Sequence, residues 1–531
     1  MAKANRSIGE AASAPVAPSP PARATRVASR VMSSMRSAFF GASAMFRAGR
    51  TAYEAASRSP RVEASADVGP NGALGEHEVI RRRSRHTYRN DPLYRQAMRQ
   101  VANNVIHYGV KPIIPYPDLA ELWEDWVEQA DSRGQLDFYG MQWHAVFTAS
   151  LSGEVLFRFR ERRDDDMDAV PLQLQMMEGD HLPLTLTQQA ANGNWIVGGV
   201  ERDAIDRVTA YHIYRHHPSD WTGRTNALMP EPVPARDVIL MYLPERPGDT
   251  RGVPWAAPAL NTFDALRTYD IAELERKKGT STYGGFYERP IDDDGSVPGA
   301  LPADDEGAML QPLEPNTWVE LPPGYKVTFS QPPSSDANYG PYRRENISMA
   351  AVSVGLAYEH LTLNFEKVSD RQYRAMMLEV GRLIESLQYH MVVQQLCKPT
   401  WRRFVETAIT SGRWTPPVNA RKRDYMRVEW VSPARGHIHP VQEVTAVAAA
   451  ISAGLLSRKR GVALMGDDVE KIDLENARDK ARADKLELAY TVYPGADAAA
   501  PAPSDPGQRV KDIVEAEISE TVERIEEAEA A

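Results

Sequence analysis

The sequence predicts an α+β protein of several domains, and three observations carry that expectation. Its 531 residues exceed what one hydrophobic core organises, since domains run to roughly 150 residues each. Between Glu154 and Leu243 short runs alternate apolar and polar residues with turn residues between them, as half-buried strands of a mostly antiparallel sheet do. After Pro254 the spacing changes to that of amphipathic helices.

Taken in order, Met1 to about Arg50 holds eight Lys or Arg and one acid, Glu10, in an Ala, Ser and Pro background, and reads as a flexible basic arm. Asn90 to Val105 carries Tyr94, Met98, Val101 and Val105 at helical spacing, followed by an extended Val110–Pro115. A helix over Leu119–Gln129 precedes another over Asp137–Leu151, with Asp137 as N-cap and Gly153 ending it. Strand-like runs follow at Glu154–Arg160, Leu172–Met176, Trp195–Val200, Thr209–Tyr214 and Val238–Leu243.

From Pro258 to Lys278 a helix turns Leu260, Phe263, Leu266, Ile271 and Leu274 inward, with Gly279 as its C-cap. A Pro- and Gly-rich segment holds brief strands at Trp318–Leu321 and Tyr325–Phe329, joined by a Pro-Pro-Gly turn. A second helix, Tyr342–Tyr358, then leads through a polar loop, Leu361–Lys367, to the longest helix, opened by Ser369 and Gln372 in capping-box spacing. That helix runs about 28 residues, roughly 42 Å, before Pro399 is expected to kink or break it. Helices over Val441–Leu456 and Val469–Leu488 follow, and Asp505–Ala531, with nine acids against three bases, forms an acidic tail.

Composition excludes several function classes. A formal charge of −10 and a pI near 5.7 argue against a protein that grips nucleic acid through a basic surface, although a conduit for sliding DNA is compatible with them. The lone Cys397 permits no intrachain disulfide and no Cys-based zinc site. The longest nearly apolar run, Thr445–Leu456, is about half the length of roughly 20 residues that a membrane span needs.

Catalytic patterns are equally sparse. The sequence holds no Walker loop, no His-Glu-x-x-His helix and no Gly-x-Ser-x-Gly elbow, and no catalytic residue, cofactor or metal is expected. The paired histidines, His216 and His217 near Asp220 and His437 with His439, lack a further ligand at useful spacing and read as exposed loop residues. Asp164, Asp165, Asp166 and Asp168 lack the Gly and closing Glu of a calcium loop and read as a solvated hairpin tip. Arg81, Arg82, Arg83 and Arg85 beside Arg89 read as a solvated or intersubunit face, with a nucleic-acid patch as the sharper alternative.

Five segments in order resemble the lambda-type family of tailed-phage portal proteins over roughly Ala52 to Leu488. They are RSRHTYRNDPLYRQAMRQVANNVIHYGVKP (Arg83–Pro112), SGEVLFRF (Ser152–Phe159), GVERDAIDRVTAYHIY (Gly199–Tyr214), RGVPWAAPAL (Arg251–Leu260) and LPPGYKVTF (Leu321–Phe329). One segment departs: the family's Tyr-Ser-x-x-Asn-Tyr-Ser-Ser run is here LNFEKVSDRQYR (Leu363–Arg374).

The resemblance implies a portal-type fold: arm 1–50, α/β wing 51–253, stem helix 254–282, clip 283–335, stem helix 336–360 and channel loop 361–370. A long kinked helix with a wing return (371–435), a helical crown (436–490) and an acidic tail (491–531) complete it. It further implies a homo-oligomeric ring, usually of twelve copies, at one capsid vertex of the virion, assembled in the host cytoplasm. Its implied partners are double-stranded DNA in transit, terminase, the major capsid protein and head-completion or connector proteins, with no membrane. By that likeness Asn364, Glu366, Lys367 and Ser369 approach passing DNA, and Trp318 and Tyr325 meet clip partners. The competing expectation is a packaging-associated nuclease or protease acting through the Asp164 cluster or a histidine pair.

Overall fold

The computed structural model describes residues 53, 69–220, 229–282, 285–288, 318–321, 336–366, 368–433, 440–486 and 488. The basic arm, most of 283–335 with Tyr325, Lys367, His437, His439 and the acidic tail lie outside them. The chain divides into two compact units, Met1–Trp430 and Val431–Ala531.

The first unit opens with a helix that apolar spacing does not announce, α1 (Leu74–Asn90), whose buried face is Leu74, His77, Ile80, Arg81 and Ser84. The basic run therefore lies on a helix. Reading all of it as a solvated or intersubunit face is corrected at Arg81, which is 1% exposed. In α2 (Pro92–Ile106) Asp91 caps the first turn by accepting from the Tyr94 amide, and Pro92 sits where no N–H is needed. A short strand β1 (Lys111–Ile113) and α3 (Pro117–Gln129) precede α4 (Phe138–Ser152), where Asp137 accepts from the Gly140 amide at 2.6 Å, as its position predicts.

Next come β2 (Glu154–Glu161) and β3 (Leu172–Glu178), then β4 (Gln188–Gln189), β5 (Trp195–Val197), β6 (Val200–Arg202), β7 (Val208–Ile213), β8 (Glu231–Pro234) and β9 (Val238–Tyr242). They form two antiparallel sheets, ordered β3-β2-β9 and β4-β5-β6-β7-β8. The expected strand Trp195–Val200 is split because Gly198 and Gly199 both take positive φ and turn the chain. Leu156, Met177, Leu182, Val200, Ile213, Val233 and Val238 form a small separate core.

Helix α5 (Leu260–Thr282), the parallel strands β10 (Gly285–Glu288) and β11 (Trp318–Leu321), and α6 (Asp336–Val352) follow. Gly279 lies inside α5, correcting its assignment as C-cap; glycine weakens a helix without being bound to end it. The antiparallel course of α5 and α6 follows from their contacts. Asp270 accepts from the Tyr339 hydroxyl at 2.9 Å and from Arg343 at 3.2 Å, while Phe263 and Leu266 share the core with Ile347, Ala350 and Ala351. Ile271 and Leu274, expected inward, are 47% and 52% exposed. Tyr358, expected at the end of the second helix, belongs to a separate short helix α7 (Tyr358–Thr362).

The long helix begins as α8 (Asp370–Leu387), widens into a π-helical stretch over Gln388–Cys397 and resumes as α9 (Lys398–Thr410). Pro399 neither breaks nor sharply ends it. It lies in the first turn of α9, immediately after the widened ladder. Two glutamine side chains of the π stretch clamp other elements: Gln388 donates to the Val105 carbonyl at 2.8 Å, and Gln395 bonds both the N–H and the carbonyl of Tyr242. The unit closes with α10 (Lys422–Met426); β12 (Glu429–Val431) lies at the boundary. At the heart of the main core Trp123 meets Trp126, Phe138, Trp401 and Phe404 with ring centroids 4.9–5.5 Å apart.

The second unit holds α11 (Pro440–Ser452), α12 (Arg458–Leu464) and α13 (Val469–Lys485). Ser457 and Asp468 cap the latter two, and Arg458 pairs with Asp473. Between residues 440 and 488 only Gly461 and Ala483 are buried among the described residues, and Val441, Leu455 and Leu464 stand open.

Candidate functional site

The loop between α7 and α8 is built by its own side chains. Leu361 is buried at 3% exposure and anchors one end, and Leu363, at φ 55°, terminates α7 in the left-handed region. Asn364 accepts from the Glu366 amide at 3.1 Å, a local turn that short amide side chains favour. Ser369 and Gln372 form the expected capping box, the serine hydroxyl accepting from the Gln372 amide at 3.3 Å. Asn364, Glu366 and Ser369 are thus together and exposed, but Asn364 and Ser369 spend polar groups on holding the loop. Lys367 lies outside the described residues. Spacing did not single out Leu363 and Phe365, 61% and 46% exposed, the latter edge-on to Tyr373. Two large apolar residues in an otherwise polar loop were the available signal.

Trp318 lies on β11, whose backbone pairs with β10, while Tyr325 lies outside the described residues. Asp164–Asp166 form a single exposed turn at the tip of the β2–β3 hairpin, as expected, with Arg413 donating to the Asp164 and Met167 carbonyls. His217 does gain the acidic neighbours that sequence spacing withheld. Ligand atoms of Glu178, Asp180 and His217 lie within 4.8 Å of one another. Arg85 already donates to both carboxylates, at 2.8 and 2.6 Å, so a guanidinium supplies the positive charge there.

Behind this cluster lies an ionic lock that sequence reasoning missed. Glu154, at the start of β2 and fully buried, accepts from Arg81 at 2.7 Å, from Arg251 at 2.9 Å and from the Gly252 amide at 3.1 Å. Arg251 spends its remaining donors on the Leu182, Gly198 and Gly179 carbonyls. Gly252 is required for that approach: a Cβ there would stand 2.1 Å from the Gly153 carbonyl oxygen. Burial works to raise the Glu154 carboxyl, but Arg251 and Arg81 outweigh it, and its pKa lies below the ordinary value. Burial likewise opposes ionisation of Asp180, yet Arg81 and Arg85 hold it down to about 2.

His77 sits beside the lock, buried and edge-on to Tyr53, with no hydrogen bond to Nδ1 among the described residues. Burial, reinforced by Arg81 and Arg251 against the pull of Glu154, pushes it down from 6.5 to about 4. An unfolded chain therefore binds a proton between those values that the folded chain refuses, so stability is present above pH 6.5 and falls as pH drops towards 4. The expected loss from this group is roughly 3 kcal/mol at most. Urea titrations at pH 7 and pH 4 check it: His77→Gln should lose that much less than the parent, and parallel losses would exclude the histidine as the cause.

Beyond the lock, the paired helices leave apolar side chains turned outward: Ile271 and Leu274 on α5, Met349 and Val352 on α6, and Leu378 on α8. The geometry thus defines a structural building block, a helix pair and loop carried on an ion-locked α+β body. The chain matches the family model described as phage portal protein, lambda family, over residues 55–388, and it belongs to that family.

Its relatives include the probable portal protein of Halomonas phage phiHAP-1, 24% identical over 428 residues, 76% of this chain and 78% of that one. The portal protein of Escherichia phage N15 is 20% identical over 53% of this chain and 58% of its own. Portal protein B of Escherichia phage lambda is 20% identical over 53% and 57%. A chain from the solved neck of a native gene transfer agent particle, computed with C12 symmetry, is similar at a TM-score of 0.39 and 13% identity, covering 72% of this chain and 91% of that one. No helix among the described residues is long and apolar enough to cross a membrane.

Proposed function

We propose that copies of this chain close into a ring at one capsid vertex and that duplex DNA passes through its bore during packaging and ejection. The observation that carries the reading is the exposure of large apolar side chains on both helices, Ile271 and Leu274 on α5 at 47% and 52% and Met349 and Val352 on α6 at 68% and 74%. A head-to-tail ring covers such faces without residue, because each copy offers one patch to one neighbour and a different patch to the other. In this reading α5 and α6 are the stem, 283–335 is the clip that docks terminase and later the connector proteins, and residues 436–490 are the crown. The loop 361–370 faces the bore, where Glu366 offsets Lys367 and contact with phosphates stays weak and salt-sensitive. The role is structural, without catalysis, with assembly in the host cytoplasm and residence in the virion beside the major capsid protein.

Mass photometry and negative-stain microscopy of the purified full chain test this, and also give the number of copies. Hollow rings are expected, and Met349→Asp with Val352→Asp should leave folded monomers, since both side chains are open in the isolated chain. A parent protein that stays monomeric at every concentration and salt, or particles without a hole, would defeat the reading. The nuclease or protease alternative requires turnover of DNA or peptide with Mg²⁺, Mn²⁺ or Zn²⁺; inert protein is the expected result.

A further inference from the structure

The basic run on α1 does not all serve the lock. Arg82 and Arg89, two helical turns apart on one face, line a cavity of about 970 Å³ together with Arg133, Arg215, His144 and His217. Arg85 enters the same cavity but is taken by Glu178 and Asp180, and Arg215 is taken by Glu231 at 2.7 Å. Arg82, Arg89 and Arg133 are exposed, and the side chain of none makes a hydrogen bond or ion pair with the described residues. The Nε2 of His217 is buried there without a hydrogen bond, 3.4 Å from Glu178. Apart from Glu178, which Arg85 answers, the acid lining the cavity is Asp220, so positive charge is in excess in a chain whose net charge is −10.

Three unpaired guanidiniums about one cavity give an anion several donors of like charge to bridge. A planar carboxylate has two oxygens to share among three forks; a phosphoryl group has more oxygens, arranged to accept from several directions at once. We infer that this cavity, remote in sequence from the loop 361–370, binds phosphate oxyanions. These come from a nucleic-acid backbone or from free phosphate, and the guanidiniums of Arg82, Arg89 and Arg133 make the contacts. The inference does not rest on ring closure.

The test compares the full chain with a variant carrying Arg82→Gln, Arg89→Gln and Arg133→Gln, all exposed positions that leave the lock intact. Inorganic phosphate is titrated calorimetrically, and a labelled duplex of mixed sequence is titrated by anisotropy at several salt concentrations. If the backbone is the source, the variant binds duplex at least about tenfold more weakly, with a salt dependence shallower by about one for each arginine engaged. If free phosphate is the source, its heat disappears in the variant while duplex binding is unchanged. Unchanged binding of both probes overturns the inference, as does polyglutamate that binds the parent as tightly and is lost in the same variant. Mass photometry of each sample keeps the result separate from ring formation: monomers that bind phosphate sustain this site and sink the ring.

Discussion

Glu154→Ala should destabilise the first unit by about 3–5 kcal/mol, because it leaves Arg81 and Arg251 buried without their shared anion. The expected magnitude comes from the stranded cations more than from the lost attraction. A triple replacement by apolar residues should not recover that loss, because it strands the Leu182, Gly198, Gly179 and Ser152 carbonyls that the two guanidiniums serve. Denaturant midpoints check both, with Glu161→Ala as the control. Glu161 also meets an arginine, Arg403, but is 70% exposed there and should change stability by less than about 1 kcal/mol. Equal effects at Glu154 and Glu161 would refute the buried lock as a determinant of stability.

Trp123→Ala is expected to cost about 3–5 kcal/mol as well, by a different route. Its side chain is wholly buried and touches rings from α3, α4 and α9, so removal opens a void where residues from 123 to 404 converge. The neighbours resist collapsing into that space, because Trp126, Phe138, Trp401 and Phe404 also pack on one another in tilted ring contacts. Trp123→Phe should restore more than half of the loss. Hydrogen exchange would locate the effect in α3, α4 and α9, and protection lost only near residue 123 would contradict a shared core.

Much of the fold was legible because pattern and burial agree. Alternation in Glu154–Arg160 and helical spacing in Asn90–Val105 give β2 and α2 to within a few residues, and Asp137 and Ser369 cap the helices their positions suggest. Helix α1 was hidden because its inward face carries His77, Arg81 and Ser84, polar residues whose burial makes sense only once Glu154 and Tyr94 arrive from elsewhere in the chain. Ile271 and Leu274 do share a helix face with Leu260 and Phe263, but periodicity cannot say whether the surface opposite belongs to the same molecule. The candidate loop was legible as a polar segment before a capping box. That Asn364 and Ser369 tie down its backbone was not, since both roles use the same residue types.

The π stretch Gln388–Cys397 has a geometric result of its own. Each residue in a widened ladder advances less around the axis than in the ordinary helix, so the bearing of the side chains drifts between Asp370 and Thr410 although the rod is unbroken. Downstream, Trp401 and Phe404 point into the body; upstream, Val380, Ile384 and Leu387 are buried too, whereas residues 370–379 hold no buried side chain and Leu378 is exposed. One uninterrupted rod can in this way serve two compass headings, rooting itself with one end and leaving the other free to be met.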